Sequence, residues 1–119
     1  MIQDQATSNK NYERFLARVS ESLSIWGLQH PDGGWAICRS NQYESTSVYV
    51  FWSDEAYANR VAVGEWSDYQ PTKIHLDSFI GNWLKGLHSD GHLVGLNWDA
   101  NLCGQEKEPI DVAKALTSS

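Results

Sequence analysis

The chain has 119 residues, 41% of them apolar and 20% charged, and its 15 acids against 9 bases leave a net charge of −6. That length fits one domain with a core large enough to fold without staples, and the composition argues against general disorder. The acidic balance disfavours a nucleic-acid binder, which needs a basic face to displace counterions, and no apolar run approaches membrane-spanning length.

The polar start Met1-Ile2-Gln3-Asp4-Gln5 lacks a basic region followed by an apolar run, so no targeting segment is expected and the default location is the cytoplasm. Residues 1–7 read as a loose lead-in. From about Ser8, Tyr12, Phe15, Leu16, Val19 and Leu23 recur on one face of a helix, with Glu13, Arg14, Arg18 and Glu21 off that stripe. Residues 25–29 read as a strand, Pro31-Asp32-Gly33-Gly34 as a tight turn and residues 35–38 as the return strand, so that 25–39 forms a hairpin. Residues 40–46 are a polar loop.

The stretch Ser47-Val48-Tyr49-Val50-Phe51-Trp52 is apolar without alternation, the pattern of a central strand covered on both faces. Ser53 follows as an N-cap, Asp54 and Glu55 place negative charge at the positive end of a helix, and Trp52 and Tyr57 have the spacing of a hydrophobic staple. That helix should run over 54–63, with Gly64 as its C-cap. Residues 65–72 form a loop, 73–76 a short strand, and Asp77 caps a helix whose stripe is Phe79, Ile80, Trp83, Leu84 and Leu87. Asp90-Gly91 ends it. Residues 93–97 are another strand, 105–107 an edge strand, and Pro109 opens a last helix with Val112 and Leu116 inward. Residues 117–119 should fray.

The order predicts a single α+β or α/β domain over 1–119. It holds one mixed sheet of about five strands, with the hairpin, two strand–helix–strand crossovers and about four helices. The crossovers favour parallel pairing of the strands at 47–52, 73–76 and 93–97. Their carboxyl ends would then gather Ser53, Asp54, Asp77, Asn97, Trp98 and Asp99. That is where open sheets bind ligands, and a cleft there would suit a cation, an amine or a basic segment. The plainer reading makes Ser53 and Asp77 helix caps and Asp54 a dipole partner.

Other chemistry is sparse. Cys38 and Cys103 form no metal spacing and read as free, largely buried thiols, a single disulfide being the alternative. His88 and His92 are four apart, but Asp90-Gly91 breaks the helix between them. No nucleophile elbow, phosphate loop or dinucleotide fingerprint occurs, and no catalytic residue, metal or cofactor is expected. The six tryptophans are unusual for this size. Trp52 and Trp83 belong to core patterns, whereas Trp66 and Trp98 stand in loops beside Glu65 and Asp99, where aromatic anchors with a polar rim occur at interfaces.

Several runs together resemble a known family. They are Trp26-Gly27-Leu28, Gly34-Trp35-Ala36, Val50-Phe51-Trp52-Ser53, Gly64-Glu65-Trp66, Tyr69-Gln70-Pro71, Ile74-His75-Leu76, Val94-Gly95-Leu96-Asn97-Trp98 and Leu102-Cys103-Gly104. This order is similar to that of the bacterial domain of unknown function 2750 over nearly the whole chain. The resemblance implies small, single-domain, cytoplasmic bacterial proteins with no assigned activity, and it carries over no catalytic residues. A looser similarity, in the strand running into a Ser-Asp-Glu helix start, is to the amino-terminal region of type III secretion enhancer proteins. By analogy it points to protein interaction.

The leading expectation is therefore a protein-interaction module with an acidic and aromatic surface near Trp66 and Trp98. Its partner would be another protein, not nucleic acid or a membrane. The alternatives are a small-ligand binder or enzyme using the strand-end acids, and a structural homodimer joined through a sheet edge or aromatic patch.

Overall fold

The computed structural model describes residues 5–40, 42–99 and 105–117, so the expectations for Cys103 and the turn near Gly104 fall outside the described residues. Helix α1 spans Gln5–Ser22, starting earlier than the apolar stripe alone indicates. Phe15 and Val19 are buried in its inward face, with Tyr12 and Leu16 packed beside them. Leu23 does not complete the stripe. It leaves the helix in left-handed geometry (φ +59°) and stands 55% exposed, turning the chain into strand β1, Ser24–Gln29.

Strand β2 is Ile37–Arg39 and β3 is Ser47–Phe51. Helix α2, Glu55–Val61, ends two residues short of the predicted limit of Val63, and Gly64 uses φ +60° to open a 3-10 turn over Gly64–Trp66 instead of capping the helix. Strand β4 is Gln70–His75. Helix α3 occupies residues 76–90 and takes π geometry over Phe79–Leu84, where the two buried end residues lie at the i, i+5 spacing that a π turn aligns. Gly91, at φ +76°, ends it as the sequence predicts, its N–H bonding back to His88 O and Leu87 O. Strands β5, Leu93–Leu96, and β6, Glu106–Lys107, precede helix α4, Pro109–Thr117, whose Val112 is buried. No helix among the described residues is long and apolar enough to cross a membrane.

The α+β class holds, but the strands are distributed differently from the expectation. Among the described residues, six strands form two sheets, β1-β4 and β2-β3-β5-β6. Strand β3 is central, antiparallel to β2 and parallel to β5 in the register Val48↔Leu93 to Phe51↔Leu96. The predicted third parallel strand does not join it. β4 lies antiparallel to β1, with Ser24 opposite His75 and Gln29 opposite Gln70. The reason is in its pattern: of Gln70–His75 only Ile74 is buried, and Pro71 has no N–H to donate, so β4 suits an edge and not the middle of a covered sheet.

The hairpin at 25–39 is likewise partial. It closes at its turn, where Gln29 bridges Trp35 and Ala36 N–H donates to Leu28 O at 2.9 Å, and the return strand then departs to pair with β3. The vacated edge of β1 takes Trp52 instead. Trp26 and Trp52 exchange both backbone hydrogen bonds at 2.8 Å, joining the two sheets.

Two apolar clusters flank the sheets. Phe15, Val19, Phe79, Leu84, Leu87 and Val112 from the helices meet Ile25, Phe51, Val94 and Leu96 on one side. On the other, Ala58, Val61 and Trp66 meet Leu28, Val48, Val50, Trp52 and Trp98. β3 contributes to both, which confirms it as the strand buried on both faces.

Candidate functional site

Because β3 and β5 run parallel, their carboxyl ends meet, and Ser53, Asp54, Asn97, Trp98 and Asp99 come together. The diversion of β4 removes Asp77 from this group. Asp77 is exposed within the first turn of α3, and His75, not Asp77, holds the N-cap position.

Ser53 is not the cap of α2 either. That position belongs to Asp54, in extended geometry and with no side-chain cap bond. Both side chains are held elsewhere. Ser53 Oγ donates to Asp54 Oδ1 at 2.7 Å, and Arg18 Nε and Nη2 donate to the two Asp54 oxygens at 2.6 Å each. This bidentate hydrogen bond from Arg18 holds the Asp54 carboxyl below its ordinary range, against the opposing effect of burial, with Ser53 adding to the lowering. Behind them, Ser53 N–H donates to Asn97 Oδ1 at 2.8 Å, and Asn97 Nδ2 donates to Ser53 Oγ at 3.1 Å and to Asn11 O at 3.4 Å. Asn97 itself sits at φ +55°, a conformation asparagine tolerates better than most residues.

The indoles expected at the surface are interior. Trp66 is 7% and Trp98 3% exposed. Trp66 stands edge-on to Trp52 with centroids 6.4 Å apart. Trp52 Nε1 donates to Trp98 O at 2.9 Å, and Trp98 Nε1 donates to Gln105 O at 3.1 Å. Room for Trp98 comes from Gly95, a residue sequence reasoning passed over. A Cβ there would lie 2.6 Å from Trp98 Nε1 and 2.8 Å from Cζ2. A glycine inside a buried strand was the available signal.

Above these indoles lies a cleft of about 150 Å³. Helix α1 supplies Asn11 and Arg14, α2 supplies Tyr57, Arg60 and Val61, and the strand ends supply Trp52, Asn97, Trp98 and Asp99. The Arg60 guanidinium carbon stands 5.6 Å from the centre of the Tyr57 ring. A second hollow, of about 300 Å³, is lined by Arg18, Glu21, Ser22, Ser53 and Asp54. Asn11, Arg14, Arg18 and Ser22 recur every three or four residues, so one face of α1 borders both hollows. Three arginines thus surround a strand end that the sequence reading took to be acidic. Arg14 and Arg18 fall outside the apolar stripe, which reads in sequence as an ordinary solvated face.

A larger hollow, of about 420 Å³, lies at residues 39–47. It is formed by an exposed loop without an apolar floor, and its Ser40 hydroxyl is already bonded to Glu106 and to the N–H groups of Gln42 and Tyr43. The histidines are dispersed: His30 lies in the turn, His75 and His88 are exposed, and His92 tilts against Tyr49. Among the described residues no group of three or more His, Cys, Asp or Glu side chains is placed to hold a metal ion. Cys38 is a free, half-buried thiol.

A family model described as "Protein of unknown function (DUF2750)" matches residues 12–116. No curated protein and no solved structure matches the chain.

Proposed function

The chain belongs to the DUF2750 family, and on that premise we propose that it is a protein-interaction module of the bacterial cytoplasm, recognising an acidic group of a partner protein at the strand-end cleft. The observation that carries this reading is that Arg14 and Arg60, from two different helices, line one cleft at the strand ends, while Asp54 is paired with Arg18. Guanidinium groups bind carboxylates through two parallel hydrogen bonds.

The same bonds argue against catalysis. The Ser53 hydroxyl donates to Asp54 and accepts from Asn97, so it is not poised beside a base as a nucleophile. Asp54 is held ionised and paired, the opposite of a carboxylate tuned to take protons near neutral pH. The likeness of the strand-to-helix run to secretion enhancer proteins supports the same class of role by analogy. The net charge of −6 disfavours nucleic acid as the partner.

The test is a titration of the isotope-labelled protein with a glutamate-rich peptide, followed by amide chemical shifts. Perturbations should centre on Asn11, Tyr57, Val61 and residues 97–99, should vanish in R14A/R60A, and should be absent with a lysine-rich peptide. Shifts confined to other faces, or none, would sink the proposal.

A further inference from the structure

We propose that Arg18 keeps Arg14 available to a partner by holding Asp54, the carboxylate of this molecule that competes for the same arginine. When that hold is lost, Asp54 captures Arg14 and the cleft loses affinity for acidic groups. The inference rests on the interaction reading above and adds how the same site is kept open.

The placement of three side chains carries the argument. Arg14 and Arg18 are four residues apart in α1, so their stems are neighbours on one face of the helix, about 5–6 Å apart at Cβ. Arg14 lines the cleft, and Arg18 lines the second hollow together with Asp54. A hydrogen bond joins the two linings: Asn97, of the cleft, donates to the hydroxyl of Ser53, of the hollow. Asp54 is therefore under the influence of both arginines, and the charge of Arg14 adds to the bond from Arg18 in lowering its pKa. Arg14 is exposed, and its long flexible stem spans one helical turn by rotating.

The bonds to Asp54 explain why Arg14 is not drawn in. Arg18 Nε and Nη2 donate to Oδ1 and Oδ2 at 2.6 Å each, and Ser53 Oγ donates to Oδ1 at 2.7 Å. Two parallel bonds from one guanidinium are the strong form of this contact, so a second arginine would meet an anion already paired. Without Arg18, Asp54 keeps Ser53 as a donor and Arg14 as the other cation acting on it. Capture within one molecule costs no loss of translational freedom, which gives Asp54 the advantage over a carboxylate arriving from solution. Arg18 is thus a positioning residue, acting on Arg14 through Asp54.

Two measurements test the proposal. The first is titration of wild type, R18A, R18A/D54N and R18A/E21Q with the glutamate-rich peptide, with amide spectra to check the fold. R18A should bind about threefold to fivefold more weakly, the range of a surface ion pair. R18A/D54N should recover wild-type affinity. R18A/E21Q restores the net charge equally, by neutralising Glu21 in the same hollow, but leaves Asp54 ionised and should stay weak. Recovery in both double variants would make Arg18 a mere source of charge, and recovery in neither would make it a brace for α1. Either result, or an unchanged R18A, overturns the proposal.

The second measurement needs no ligand. The Asp54 carboxyl carbon is followed by NMR against pH in wild type, R14A, R18A and R14A/R18A. Removing Arg14 should raise the titration midpoint more in the R18A background than in wild type, because there Arg14 has taken the vacant place. An equal or smaller rise would show that Arg14 stays where it is, and overturns the proposal. If wild type binds no peptide while the larger rise is seen, the interaction reading fails and the exchange of arginines at Asp54 stands.

Discussion

Asn97 and Ser53 lock the ends of β5 and β3 together through reciprocal hydrogen bonds: the Ser53 amide to Asn97 Oδ1 at 2.8 Å, and Asn97 Nδ2 to Ser53 Oγ at 3.1 Å. The pair sits where both strands leave the sheet, and Asn97 also donates to Asn11 O of α1, which borders the cleft. Asn97→Ala would leave a buried Ser53 N–H unpaired and place an ordinary side chain at positive φ, for a total loss of about 3 kcal/mol. Asn97→Gly loses the same bonds but relieves the backbone, so it should be less damaging by about 1 kcal/mol. Urea denaturation of the two variants gives the order, and equal losses would show that backbone conformation contributes nothing.

Trp66 is a second point of test, because its sequence position beside Glu65 suggests a surface anchor and its burial at 7% shows a core residue. Trp66→Ala should cost about 3–5 kcal/mol, with Trp66→Phe much milder. A Trp66→Ala protein of unchanged stability would contradict the edge-on packing against Trp52.

Acid should weaken the tie between α1 and the strand ends. The native pKa of Asp54 lies below its unfolded value, so the stabilisation is fully present above the unfolded value and is lost as pH falls through the native one. The window therefore opens below about pH 4. Melting temperatures of the wild type and Asp54→Asn should differ near neutrality and converge in acid. Because Arg18 is half exposed, added salt should shrink the difference.

Cys38 should be a sluggish thiol. Burial, reinforced by Glu65 and Glu106, pushes its pKa up to about 11. Only about one molecule in a few thousand carries the thiolate at pH 7.5, so iodoacetamide should label this residue slowly in the native protein and much faster in urea. Peptide mapping by mass spectrometry reads Cys38 apart from Cys103.

Elements with a strong local pattern were legible in the sequence. The stripe through Phe15 and Val19, the unbroken apolar run of β3, the turn at Gly91 and the helix opened by Pro109 all formed where periodicity and turn chemistry placed them. What escaped depended on partners distant in the chain. Lys73 and His75 mark β4 as an edge, but nothing local says that its partner is β1. Ser53-Asp54-Glu55 reads as a helix cap by residue type, yet Ser53 bonds Asn97 and Asp54 bonds Arg18. Gathering Arg14, Arg18 and Arg60 required the relative placement of two helices, which no spacing within either one encodes.

The parallel pairing of β3 with β5 also bears on synthesis. As the polypeptide leaves the ribosome, Val48-Tyr49-Val50-Phe51-Trp52 emerges long before Leu93–Leu96, the neighbour that covers its second edge. While residues 53–92 are being made this apolar segment is left open to wrong partners, and fragments truncated before β5 should be trapped by chaperones or aggregate.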